Sequence, residues 1–514
     1  MNGKKEFGDY QTPLAFAQKV CAYLKDERDL SPFIVIEPTC GVGNFLESSL
    51  VFGAKKYYGI EINPDYCQTC KERFEGRNIT VLKADFFRFP FHSLYEENKS
   101  ILIIGNPPWA TNGMLSAAGS DNLPEKTNFK GVKGIEAMTG ASNFDICEFM
   151  LLRLIREFQN TNTTIAMLCK TSVARNVFAE MARTKIHFSF CDLLKFDAKK
   201  VFGVSASACL LLIHLSENAP EETVCRVLSF DAPGLCPYTI IYRDGFMVSH
   251  APDEWKDYTG TCCFEWRQGI KHDCSPVMEL TLKDGKLYNG AKEAVSIESQ
   301  FVYPLVKSSM FKTPIINKFS KYVIVTQKKP RENTCYLAET APQTWAYLNQ
   351  YKERFDQRKS SIYAGAPDFS IFGIGDYSFE KYKVGISGFY KKPFFSLLYS
   401  PDGKPVMTDD TSYFIGFDDY ELAYTAMLIL NSAPVQQFLL GISFLDSKRP
   451  FTKKVLSQLD FSRITDDLTL ALLRETEAGL GLPPSVSAAM YQNFIDFLTA
   501  GQQTMFSDLL FNCI

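Results

Sequence analysis

No stretch of about 18 consecutive apolar residues occurs anywhere in this 514-residue sequence, so nothing in it reads as a membrane-spanning helix. The opening residues, MNGKKEFGDYQTP, also lack the apolar core of a secretory signal, and the expectation is a cytoplasmic chain with no membrane partner. Regular cysteine spacing is missing too. Fifteen cysteines are scattered along the chain, several inside apolar runs such as AMLCK and ASACLLLI, which suits reduced, packed thiols better than a disulfide framework. Cys67 and Cys70 form a CxxC pair with no second pair nearby. Cys262, Cys263, His272 and Cys274 have ligating side chains but not the spacing of a metal centre, so no metal is expected. A large net charge is absent as well, the formal value being -3, which points to no particular partner. With 46% hydrophobic and 22% charged residues the chain is globular, and its length suffices for two or more domains.

What is present begins with ILIIGNPPWATN, residues 101 to 112. An apolar run suited to a covered strand meets Asn106 and then two prolines, which cannot donate to a sheet ladder and so stop the strand at a fixed place. Proline also restricts the residue before it, so Asn106 and Pro107 are held with their carbonyls in defined directions. Such a segment can present converging oxygens to a ligand.

The first half alternates apolar strands with helical stretches. FIVIEPTCGVGNFLESSL reads as strand, glycine turn and helix; KYYGIEINPDYCQTCKERF and ITVLKADFF add strands ending near Glu61 and Asp85. FDICEFMLLRLIREF is helical, TIAMLCK a strand and SASACLLLIHL a late strand. That pattern predicts an α/β domain with a mostly parallel sheet, on which ligands bind beyond the carboxyl ends of the strands. Glu37, Glu61, Asp85 and Asn106 should therefore line one crevice. Gly41 and Gly43 permit a tight turn and close backbone approach, and Glu61 is placed to accept hydrogen bonds from ribose hydroxyls. A nicotinamide-dinucleotide reading competes here. Leu46 breaks the full GxGxxG pattern, and three carboxylates around the site suit a cofactor carrying positive charge better than a pyrophosphate.

In order along the chain, FGDYQTP, VIEPTCGVGNFL, GIEIN, LKADFF, GNPPW, SNFDICEFMLLRLI with IAMLCKTSVA, and KKVFGVSASACLLLI resemble the motifs of gamma-class adenine-N6 DNA methyltransferases of type II restriction-modification systems. The resemblance covers roughly residues 6 to 216 and implies a Rossmann-like S-adenosylmethionine-dependent catalytic domain, assigned to residues 1–245. A mixed α+β target-recognition domain would follow over residues 246–514. Residue by residue, it implies that Thr12 touches the cofactor carboxylate and that Glu37, Thr39, Cys40, Gly41 and Gly43 surround the methionine portion. Glu61, with Ile62 beside it, would hold the ribose, and Asp85 and Phe86 would read the adenine of the cofactor. Asn106 and Pro107 would accept hydrogen bonds from the target amine, with Pro108 and Trp109 completing the catalytic tetrapeptide. Trp109, Phe202 and Phe144 are the candidate stacking partners of a flipped base. Lys170 is open between a phosphate contact and a strand-end charge.

Positive charge collects in one segment of the second half. Between Lys307 and Lys392 fifteen Lys or Arg stand against seven Asp or Glu, interleaved with aromatics such as Trp345 and Tyr363, as expected of a polyanion-binding face. Lys328, Lys329, Arg331, Arg358, Lys359, Lys391, Lys392, Lys448 and Arg449 are the candidate phosphate contacts to double-stranded DNA. PDF at 367–369 with EKYK at 380–383 fits the spacing of a nuclease core poorly, so cleavage is assigned to a separate restriction endonuclease partner. Cytosine-N4 methylation, methylation of an RNA or protein amine, and a binding module with a vestigial cofactor site are the alternatives.

Overall fold

The computed structural model describes residues 11–109, 145–217, 223–232, 235, 238–243, 245–249 and 256–511. It divides into two compact units, Met1–His250 and Ala251–Ile514.

In the first unit, helix α1 (Leu14–Asp26) precedes β1 (Ile34–Glu37), whose four residues are all buried. Then come α2 (Asn44–Ser49), β2 (Lys56–Glu61), α3 (Pro64–Arg73), β3 (Ile79–Lys83) and β4 (Ile101–Gly105). The last of these is also buried throughout, the continuous apolar pattern of a strand covered on both faces. Asn63 caps α3 by accepting from the N–H groups of Asp65 and Tyr66, and Pro64 occupies the first turn, where its missing donor costs nothing. After the helix Ile146–Glu157 come β5 (Thr163–Lys170), the helix Thr171–Arg183, β6 (Phe188–Asp197), a short helix Ala198–Phe202, β7 (Ser207–Leu215), β8 (Val224–Ser229), β9 (Tyr238–Arg243) and β10 (Phe246–Ser249).

These strands form one sheet in the order β10-β9-β8-β6-β7-β5-β4-β1-β2-β3. From β3 to β5 every pairing is parallel. β7 then runs antiparallel to both β5 and β6, and β8 to β10 extend the sheet as an antiparallel meander after the parallel β6–β8 pair. The chain leaves β1 toward β2 and β3 and returns to lay β4 against the other side of β1. That reversal between β1 and β4 opens a crevice at the carboxyl ends, which is where Glu37 and Asn106 stand. The antiparallel extension was not visible in the sequence, because a meander needs no intervening helices to mark its strands.

The second unit holds a five-stranded sheet, in the order 267–268, 412–417, 382–387, 395–398, 315–316, and a six-stranded one in the order 294–295, 286–288, 279–283, 321–324, 302–306, 407–408. The apolar helix Tyr420–Asn431 packs on the first of these sheets and against the long helix Ala488–Phe511. Lys383, in strand Tyr382–Ser387, is 1% exposed and donates to the carbonyls of Ser378, Glu380 and Val406, so its ammonium is a structural clamp rather than surface charge.

Candidate active site

The crevice is built around one glycine loop and three carboxylates. Glu37, at the end of β1, is 3% exposed, and its Oε2 accepts the Leu46 N–H at 3.0 Å. Burial pushes its carboxyl well above the ordinary value, Cys70 and Glu61 adding to the shift while the Leu46 bond and Arg73 oppose it. Between Glu37 and α2 the backbone turns through Gly41 (φ 51°) and Gly43 (φ 83°), a region that L-residues rarely adopt. Space adds to this at Gly43, where a Cβ would stand 2.5 Å from the Phe74 ring and 2.8 Å from Cys70 Sγ; at Gly41 it would meet only the end of the flexible Gln11 side chain.

Glu61, at the end of β2, braces this loop. Its Oε2 accepts the Gly41 N–H at 2.8 Å and its Oε1 the Asn63 N–H at 2.7 Å, so both oxygens already hold backbone and a ribose would use their remaining lone pairs. Cys40 is buried and donates its N–H to Ile60 O, while Ile62, one residue beyond the strand, is 45% exposed. The hydroxyls of Thr12 and Thr39 are buried with no hydrogen-bond partner among the described residues. Asp85 Oδ1 accepts the Phe87 N–H in the turn after β3. Phe86 is buried, its ring 4.9 Å from that of Phe91 and its carbonyl held by Arg153, so its contribution to a ligand is packing from behind.

Sequence reasoning missed Arg73. From α3 it donates to Val42 O at 2.7 Å and Asn44 Oδ1 at 2.8 Å and pairs with Glu47, fixing the loop from its outer side. Within CKERF it looks like any charged residue on a solvated helix face, so no local signal distinguishes it.

At β4 the strand ends at Gly105, and Asn106, Pro107, Pro108 and Trp109 follow directly. A Cβ on Gly105 would lie 3.4 Å from Glu37 Cγ, which sets the start of the tetrapeptide against the cofactor crevice. Trp109 is 6% exposed, and its ring meets that of Phe202 edge to face, at 5.4 Å and 71°. Phe202 also touches Phe16 and Phe196. A base sandwiched between two rings needs them parallel and roughly 7 Å apart, twice the carbon contact distance. The structure thus brings the two aromatics together edge to face, not in the parallel, spaced arrangement of a base sandwich. Phe144 lies outside the described residues.

Lys170, the residue left open by the sequence, stands beside this tetrapeptide. From the end of β5 its Nζ lies 2.7 Å from Asp145 Oδ2 and 3.5 Å from the carbonyl of Trp109. Asp145 is itself 9% exposed and caps the helix Ile146–Glu157 through the Cys147 N–H. The lysine is thus a buried-side anchor for Trp109 rather than a surface charge. Lys170→Met should lower the maximal methylation rate about tenfold with cofactor affinity unchanged, as measured by single-turnover rates beside calorimetry; equal losses in both would reduce it to a fold-stabilising pair.

The candidate phosphate contacts fall into distinct settings in the second unit. Lys328, Lys329 and Arg331 are exposed in a turn that Glu332 closes by accepting the N–H groups of Lys328 and Lys329. Lys359 is exposed, whereas Arg358 is half-buried: its guanidinium donates to His272 O and Ser370 O and lies 3.7 Å over the Tyr363 ring, so part of its donor capacity already goes to the fold. Lys448 and Arg449 stand 5.8 and 5.1 Å from the Phe389 ring, Lys391 donates to Ser447 O, and Lys392 is exposed.

No protein-family model matches the sequence. Over 467 residues it is 40% identical to the type II methyltransferase M.NspV of Nostoc sp., covering 89% of this chain and 96% of that protein. The chain belongs to the type II methyltransferases. A likeness of 25% over 199 residues joins this methyltransferase to the ribosomal RNA small subunit methyltransferase A of Clostridium botulinum, over 38% of this chain and 68% of that one. Among solved structures, the methyltransferase subunit of a type I restriction-modification system from Streptococcus thermophilus is 14% identical, covers 43% of this chain and 48% of its own, and has a TM-score of 0.32. The cofactor of the methyltransferase is S-adenosylmethionine. The residues present fit that group: the buried Thr12 and Thr39 hydroxyls without a hydrogen-bond partner among the described residues, the Gly41–Gly43 turn, and carboxylates at the ends of β1 and β2 and just past β3 suit a cationic amino-acid nucleoside.

Proposed function

We propose that this methyltransferase modifies the exocyclic N6 amine of an adenine flipped out of a specific duplex DNA sequence, as the modification component of a restriction-modification system. The observation that carries the reading is the position of NPPW. It leaves the sheet at the switch between β1 and β4, with Glu37 packed against its first turn, so an amine held by Asn106 sits next to the cofactor crevice. An amine conjugated to a purine is a poor nucleophile. Acceptance of its protons by the Asn106 side chain and the Pro107 carbonyl favours the geometry in which its lone pair meets a methyl group. S-adenosylmethionine, when bound, supplies that methyl on a positively charged sulfur. Thr12, Thr39 and the Gly41–Gly43 loop would hold its amino-acid end, Glu61 with Ile62 the ribose, and Asp85 its adenine.

Phosphate contacts from the exposed lysines position the duplex, and a separate endonuclease supplies cleavage. No single helix among the described residues is long and apolar enough to cross a bilayer, and we place the enzyme with its DNA in the cytoplasm. An RNA substrate is the second reading, favoured by the ribosomal RNA methyltransferase that resembles 38% of this chain. Against it stands the basic segment between Lys307 and Lys392 in the second unit, with fifteen Lys or Arg against seven Asp or Glu. Purified enzyme given labelled cofactor with separate DNA, RNA and protein pools should label DNA, at N6-methyladenine after hydrolysis; label confined to RNA or protein would overturn the reading.

A further inference from the structure

The second unit contains an open cleft of about 400 Å³ whose lining includes Lys271, Asp273, Lys307, Phe389 and Asp410. Most of its charged groups are already committed. Glu279 takes both its hydrogen bonds from Lys307, at 2.8 Å each, and Asp409 accepts the hydroxyls of Thr411 and Ser412. What is left is a shared cation. Lys271 Nζ stands 3.1 Å from Asp273 Oδ1 and 4.0 Å from Asp410 Oδ2, and all three side chains are about a third exposed. One ammonium between two carboxylates leaves acceptor oxygens facing the opening.

The backbone beneath them is fixed. Lys271 exchanges two hydrogen bonds of 2.8 Å with Phe372, Ile270 bridges to Asp409, and the Asp410 carbonyl is held by Gln268 and Arg449. On the same wall, Phe389 carries Lys448 and Arg449 over its ring. Two cations thus stand beside one wall of a cleft whose floor is rich in carboxylate. Carboxylates repel phosphate, so the part of a nucleic acid that this floor can take is a neutral hydrogen-bond donor, and in the major groove of duplex DNA that is the exocyclic amine of cytosine or adenine.

We infer that this cleft is a sequence-reading site, in which Asp410 and Asp273 accept from the exocyclic amine of one base of the DNA target while Lys392, Lys448 and Arg449 hold the flanking phosphates. The inference rests on the duplex-DNA reading above and adds to it the residues that choose the sequence. Lys271 orients the two carboxylates and neutralises one of them, so a base that offers an acceptor in place of the amine meets uncompensated negative charge. Discrimination by such a contact is worth about tenfold or more against the wrong base.

The test uses the full chain expressed in cells without other adenine methylation, with the methylated positions read by sequencing. Asp410→Asn and Asp273→Asn, each nearly isosteric, should lower methylation at the wild-type sites relative to sites that differ at one base pair, shifting that ratio by at least about tenfold. An unchanged motif in both variants overturns the inference while leaving the methylation reading intact. Absence of any labelled adenine with the wild type overturns that reading and this inference with it. Should both variants lose methylation altogether, binding to duplexes altered one base pair at a time decides. Loss confined to the cognate duplex supports the reading site, and equal loss on all duplexes overturns it. Lys392→Gln with Lys448→Gln should act differently, weakening cognate and unrelated duplexes alike and making the slope of log affinity against log salt about 2 shallower. An unchanged slope removes these lysines from the proposal.

Discussion

Asn106→Ala should lower methyl transfer by at least about 100-fold while leaving S-adenosylmethionine affinity within a few-fold of wild type. Asn106 lies one residue past the end of β4, so truncating its side chain removes no residue of the strand. Its amide oxygen is needed when the amine gives up its conjugation with the ring, and an interaction made mainly in the transition state costs rate rather than ground-state binding when removed. Glu61→Ala should show the opposite division. It releases the N–H groups of Gly41 and Asn63 and loosens the loop on which the cofactor lies, so affinity falls first. Single-turnover rates at saturating cofactor, beside calorimetric titration of each variant, separate the two. Equal losses of cofactor affinity in both variants would contradict separate roles.

Much of this site was legible because parallel α/β folds place ligand groups at strand ends, and strand ends are marked in sequence by a change from apolar run to acid, glycine or proline. Glu37 and Glu61 close their strands and Asn106 follows the third, each where the sequence put it, while Asp85 stands two residues past β3 in a turn that its own carboxylate closes. Long-range contacts leave no such mark. That Lys170 reaches Asp145 and the Trp109 carbonyl, or that Arg73 grips the loop after Cys40, depends on elements brought together by the sheet. Arg358 shows the limit from the other side. By composition it belongs to a basic face, yet three backbone carbonyls and the Tyr363 ring already engage its guanidinium. Charge counts report how many cations a segment has, and burial decides how much of each can meet a ligand.

Glu37 should make both stability and cofactor binding depend on pH, in opposite directions. Its folded-state carboxyl is raised well above the ordinary value of 4.5, chiefly by burial, so over the interval between the two values the folded cofactor-free enzyme holds a proton that the unfolded chain has lost. That contribution to stability is full below 4.5 and disappears as pH rises through the folded value. Glu37→Gln keeps a side-chain oxygen for the Leu46 N–H and removes the titration, so the variant without cofactor should gain stability relative to wild type as pH increases. Binding runs the other way. A cationic ligand favours the ionised carboxylate, so wild-type affinity should rise with pH and binding should release a proton. The variant's affinity should be nearly flat with pH and, above the folded value, weaker by roughly ten- to a hundredfold, the worth of a charge-assisted hydrogen bond. Calorimetry in two buffers of different ionisation enthalpy counts the released proton directly, and thermal melts across the same pH range follow the stability. Wild-type enzyme that binds cofactor without releasing a proton would mean that Glu37 remains protonated in the complex, and its part would then be to hold α2 against β1 rather than to meet the cofactor's charge.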